Sequence, residues 1–132
     1  MKVRRATNDD IAGMVELMDM RRQLYKSFQP IFWRRAPNAN AAQARFFASL
    51  VGNDGAIVLV CEEREIFRGF IIAILTDAPP VYAPGGKPCM IDDFAVVRDD
   101  WSVAGRALLY DGAARCESGR GRAGGSCMRA HG

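Results

Sequence analysis

The stretch from Cys89 to Leu109 constrains this chain more than any other. CMIDDFAVV is apolar enough for a buried strand, RDDWSVAG carries turn-forming and small residues, and RALL opens a helix. A strand feeding a glycine-containing loop at a helix N-terminus points backbone N–H groups at an anion. First-turn donors lack intrahelical partners, and the helix dipole adds to their pull. Two adjacent carboxylates, Asp92 and Asp93, interrupt the apolar run of the strand. In a regular strand they point to opposite faces, so only one of them reaches a given site. A carboxylate near low-dielectric walls has its pKa raised toward use as a general base. The plan is that of an enzyme that takes a proton from one substrate beside a phosphorylated second one.

The preceding residues supply a scaffold for that segment. Lys2 to Ala6 alternates weakly, as a first strand does, and Thr7 with Asp10 three residues later has the capping-box pattern of a helix start. Ile11, Met14, Val15 and Met18 follow at helical spacing. A polar and aromatic segment with Tyr25, Phe28, Phe32 and Trp33 is broken by Pro30 and Pro37. Asn40 is placed to cap a second helix, with Phe46, Phe47 and Leu50 facing inward and a stop at Gly52. Ala56 to Glu62 and Ile66 to Leu75 flank Arg64-Glu65 and read as an antiparallel hairpin. Pro79 to Pro88 is a Pro/Gly loop leading into Cys89.

The order D-D-F-x-V, a short loop, S-x-x-G-x-A and then L-L resembles the acyl-CoA-binding motif of the GCN5-related N-acetyltransferase (GNAT) family. Gly105 and Ala107 match that family's loop, while Ser102 stands where it has Arg or Gln. With Val96 as the strand's anchor the loop is one residue longer than usual. With Val97 it fits and the acidic pair shifts by one place. Both registers stay open. Gly69 resembles the residue at which the family's third strand begins.

The resemblance implies an α+β fold with a mixed, mainly antiparallel sheet, flanking helices and the order βααβββα. Residues 1–114 would form the acyl-CoA-binding domain. Acetyl-CoA would be the co-substrate, held by the backbone of Phe94, Ala95 and Val96 and by the loop Ser102, Val103, Ala104, Gly105, Arg106 and Ala107. Gly105 would let the pyrophosphate approach closely. Asp92 or Asp93 would deprotonate a primary amine of a small molecule or peptide, and likeness to polyamine acetyltransferases favours Asp92. Tyr82 is a candidate general acid, and Tyr25, Phe28 and Trp33 lie where the family builds its acceptor pocket. The family's fold continues with a further strand, helix and strands that have no counterpart here. Residues 115–132 therefore read as a Gly/Arg-rich tail, either left by truncation or a shifted reading frame or a natural disordered segment.

Charge and cysteine usage narrow the alternatives. The net charge is +3, and residues 115–132 hold four Arg against one Glu, so the rest of the chain is neutral. A neutral domain argues against a nucleic-acid-binding face. No run of ~18 apolar residues exists to span a membrane, and MKVRRATNDD lacks the apolar core of a signal peptide. The four cysteines show no CxxC spacing, Cys61 and Cys89 fall in apolar strands as free thiols, and a reduced, cytoplasmic protein without a metal site is expected. His131 is the only histidine and sits in the tail, which leaves no His-based triad. Two competing readings are a catalytically impaired acyl-CoA-binding remnant and an oligomeric structural protein. In the second, an open sheet edge would pair with another copy as a homodimer.

Overall fold

The computed structural model describes residues 1–28, 37–76, 80–81 and 88–118. Seven main elements follow one another: β1 (Lys2–Arg5), α1 (Ile11–Phe28), α2 (Ala39–Leu50), β2 (Ala56–Glu63), β3 (Ile66–Leu75), β4 (Cys89–Val96) and α3 (Arg106–Ser118). This is the expected βααβββα order. The four strands form one sheet in the order β1-β2-β3-β4, antiparallel throughout. Helix α3 runs past residue 114 to Ser118, so the folded part extends four residues beyond the expected domain boundary. Residues 119–132 of the expected tail lie outside the described residues.

Alternation along the strands divides the core into two layers. Val58, Val60, Phe70, Ile72 and Ala95 face α1 and α2, where they meet Met14, Val15, Leu17 and Phe47. Ile57, Leu59, Ile71, Ala73 and Val96 face α3, where they meet Ala104, Leu108 and Cys116. Phe47 packs edge-on against Phe70 with ring centroids 5.6 Å apart. The neighbouring Phe46, expected inside, is 44% exposed. One residue along a helix is a rotation of ~100°, so two adjacent phenylalanines cannot both face the sheet.

Turn chemistry explains the connections. The Asp10 carboxylate accepts from the Thr7 N–H at 2.8 Å and from both Arg4 guanidinium nitrogens at 2.7 and 2.8 Å. Those bonds, the Arg4 pair above all, hold its carboxyl below the usual carboxylate range. They open a 3-10 turn at Asn8–Asp10 that leads into α1. Arg64 and Glu65 both have positive φ, 52° and 65°, which gives the β2–β3 hairpin a twist matching its strands. Asn40 does not cap α2. Asn38 holds the N-cap position, in the left-handed region and with no side-chain cap bond, while the Asn40 side chain accepts from Arg22 at 2.8 Å and ties α2 to α1.

Two further expectations need correction. Gly69 lies inside β3, three residues after the strand begins, and a Cβ there would sit 2.7 Å from the Ala95 carbonyl oxygen. Close strand approach, rather than a strand start, is what excludes a side chain at Gly69. Cys89 is not a free thiol. A disulfide joins it to Cys116, with the Cα atoms 6.7 Å apart, linking the start of β4 to the end of α3. A pairing across 27 residues of sequence leaves no trace in local spacing. Cys61 is the free cysteine among the described residues, and burial pushes its thiol up to about 11.

Two measurements check this packing. Phe47→Ala should lose ~3–5 kcal/mol in denaturant unfolding, against under ~1 kcal/mol for Phe46→Ala. Peptide mapping without reductant should recover the Cys89–Cys116 link. Opening it with reductant should then cost roughly 3–4 kcal/mol, the loop-closure value for a span of this length.

Candidate functional site

The site is built on an irregularity in β4. Ile72 pairs with Asp93 while its neighbour Ala73 pairs with Ile91, so Asp92 is an extra residue without an opposite number in β3. This is a β-bulge, and one inserted residue reverses the faces of everything beyond it. Upstream, Cys89 and Ile91 lie with Ile71 and Ala73 on the α3 side. Downstream, Ala95 belongs to the α1–α2 layer and Phe94 and Val96 to the α3 layer. The expectation of a regular strand is therefore wrong. The pair is resolved by the bulge, with Asp92 exposed and Asp93 half-buried on the face that α1 covers.

Asp93 is the chemically distinctive member. Burial pushes its carboxyl above the ordinary carboxylate value and the Asp92 charge adds to the push, while Arg21 and Arg22 of α1 oppose it. Arg22 is committed to neighbours. It donates to Asn40 at 2.8 Å and to Gln43 at 2.5 Å, and lies 3.7 Å from Asp19. Arg21 donates from Nη1 to the Phe94 carbonyl at 2.8 Å and from Nη2 to the Tyr25 hydroxyl at 2.6 Å. Its guanidinium carbon lies 5.6 Å from the Tyr25 ring centroid and 6.0 Å from that of Trp101.

After β4, the chain makes a 3-10 turn at Val97–Asp99 and a π-helical turn at Trp101–Gly105 that runs directly into α3. The expected open loop from Ser102 to Ala107 is thus mostly helical. The Gly105 N–H donates to the Asp100 carbonyl at 3.0 Å. Ser102, Val103 and Arg106 are exposed, Ala107 is half-buried, and Ala104 and Gly105 are buried. A Cβ on Gly105 would lie 3.0 Å from the Trp101 ring, a tight contact that the ring must shift to relieve, so internal packing also favours glycine here. Trp101 stacks edge-on against Phe94 at 5.1 Å. Arg68 is the extra residue of a second irregularity, between β2 and β3, and binds Asp100 at 3.1 Å, which pins the head of this turn to the sheet.

The structure thus brings together Asp93, Tyr25, Phe94 and the turn at Trp101–Gly105. Trp33 and Tyr82 lie outside the described residues, as does the Phe28 side chain. Sequence reading overlooked Arg21 and Trp101. Arg21 had a signal, because Met14, Met18, Arg21 and Tyr25 continue one helical stripe, and a charge on the inward side of such a stripe calls for a partner. Among the described residues there is no His, Cys, Asp and Glu group able to hold a metal, and no helix long and apolar enough to cross a membrane.

A carboxyl whose pKa is raised by folding weakens the fold above that pKa, because the unfolded chain ionises more readily. Asp93→Asn should therefore raise the unfolding midpoint at pH 7. The gain should shrink as the pH falls and vanish well below 3.8, the ordinary value for Asp, where both states hold the proton.

No family model and no curated protein matches this chain by sequence. Solved structures do match it. A point variant of a Bacillus halodurans protein superposes with a TM-score of 0.71 at 19% identity, covering 97% of this chain and 80% of that one. A predicted acetyltransferase of Clostridium acetobutylicum, solved with acetyl-CoA, gives a TM-score of 0.58 at 18% identity over 86% of this chain and 74% of that one. A protein of Staphylococcus aureus subsp. aureus assigned to the GNAT acetyltransferases gives 0.67 at 8% identity over 98% and 100%. These superpositions show that the chain has the fold of the GNAT acetyltransferases.

Proposed function

We propose that this protein is an N-acetyltransferase that moves the acetyl group of acetyl-CoA to a primary amine without a covalent enzyme intermediate. The observation that carries the reading is Asp93. It is a half-buried carboxyl with a raised pKa, set by a bulge on the strand that leads into the α3 turn. A solved structure of the same fold with acetyl-CoA supports the choice of acyl donor.

The chemistry needs few groups. An ammonium substrate gives one proton to Asp93, directly or through water, and the freed amine attacks the thioester carbonyl carbon. A C–N bond forms, the tetrahedral adduct collapses, and the C–S bond breaks. The departing thiolate takes the second amine proton, leaving an N-acetyl amide and the free thiol. First-turn N–H groups of the Trp101–Gly105 segment face the donor's phosphates, where unpaired backbone donors favour an anion. The strand residues Phe94 to Val96 serve its pantetheine arm, and Arg21 must then share or yield the Phe94 carbonyl it now holds. Asp92, exposed, contributes negative charge near the acceptor rather than the base.

Calorimetry with acetyl-CoA tests the first half, with Val103→Glu as the control. Val103 is 53% exposed, so the new charge disturbs the phosphate approach without the tight contact to the Trp101 ring that a side chain at Gly105 meets. Binding by the parent chain and its loss in the variant is the expected outcome. Asp93→Asn should then cut kcat by ~100-fold or more and remove the acid limb of the pH–rate profile, while Asp92→Asn leaves the limb in place. A profile unchanged by Asp93→Asn would remove the base from Asp93.

A further inference from the structure

The acceptor's chemical class follows from Arg21. The two hydrogen bonds of its guanidinium go to neutral oxygens, the Phe94 carbonyl and the Tyr25 hydroxyl, and its remaining contacts are the faces of Tyr25 and Trp101. Arg22, one residue along, meets the Asp19 carboxylate and two side-chain amides of α2. Arg21 is thus a part-buried cation whose hydrogen-bond partners carry no formal charge. A guanidinium is planar and matches a carboxylate through two parallel N–H bonds, and rings beside it keep it oriented.

Asp93 precedes in β4 the residue whose carbonyl Arg21 holds, and the Arg21 charge favours its ionised form. That balance ends when Asp93 takes a proton from the acceptor amine. A negative group brought by the acceptor itself restores it at the step where it is needed. We propose, building on the acetyltransferase reading, that Arg21 selects amines that also carry a carboxylate. Amino acids are of this kind and polyamines are not.

The test compares alanine and glutamate with alaninamide and putrescine as acceptors, in the parent chain and in Arg21→Met and Arg21→Lys. The parent should prefer the acids, and Arg21→Met should lose ~10- to 100-fold in kcat/KM for them, the usual scale of a charge-assisted bond. That loss should fall mainly on the acceptor KM, with partial recovery in Arg21→Lys, and the acetyl-CoA KM should not rise, since losing Arg21 only frees the Phe94 carbonyl. Equal use of acid and amide by the parent, or a preference for putrescine, overturns the proposal. So does an equal loss for all acceptors, which would make Arg21 a clamp on β4, or a raised acetyl-CoA KM, which would make it a phosphate contact.

Calorimetry with N-acetylalanine and N-acetylalaninamide decides the matter even without turnover or a folded Arg21→Met. Tighter binding of the acid by the parent chain supports a carboxylate site at Arg21, and equal or absent binding of both refutes it. A parent chain that binds the acid but not acetyl-CoA would instead remove the acetyltransferase reading and leave the anion site standing.

Discussion

Everything at the site depends on one inserted residue in β4. Had the strand stayed regular, Asp93 would lie on the same face as Ile91, the α3 side, and its charge would be buried against an apolar layer. The bulge at Asp92 reverses that parity, putting Asp93 under α1 and Asp92 toward solvent. The same reversal lets Ile91 and Val96 both serve the α3 layer although they are five positions apart. A second insertion, at Arg68 in β3, acts in a similar way. It frees an arginine to hold Asp100, and Asp100 in turn receives the Gly105 N–H at the turn that starts α3.

Around these irregular positions the fold is held firmly. Two apolar layers grip the sheet from either side, and Gly69 lets β3 and β4 approach closely near the end of β4. The disulfide between Cys89 and Cys116 closes the β4–α3 unit into a loop, so the strand bearing the acid and the helix heading the turn move as one. α1 is joined to β4 through Arg21 and to α2 through Arg22. A rigid frame of this kind is what a pKa shift needs, since a carboxyl free to swing into water would recover its ordinary value.

Much of the fold was legible in the chain itself. The stripe Ile11, Met14, Val15 and Met18, the turn at Arg64-Glu65 and the limits of β3 all come from local periodicity and backbone preference, which depend on near neighbours. The legible part of the site was the stretch carrying Asp92, Asp93 and the turn before α3. The faces of the two acids were not legible, because a bulge is a relation between strands. Nor was the role of Gly105, because the ring that fills its side is set by the turn's own packing.

By itself, the sequence determined the element order, the antiparallel hairpin, the apolar faces and the presence of a carboxylate pair ahead of a helix start. Local propensity and pattern are enough for these. The tertiary structure decided which acid is sheltered, that Asn40 joins helices instead of capping one, that Cys89 meets Cys116, and that Arg21 reaches the Phe94 carbonyl of β4. Each of these joins residues that are far apart in sequence or set on different elements. A one-residue shift in pairing or in helix phase would undo any of them, so they are settled only when the whole sheet and its helices pack together.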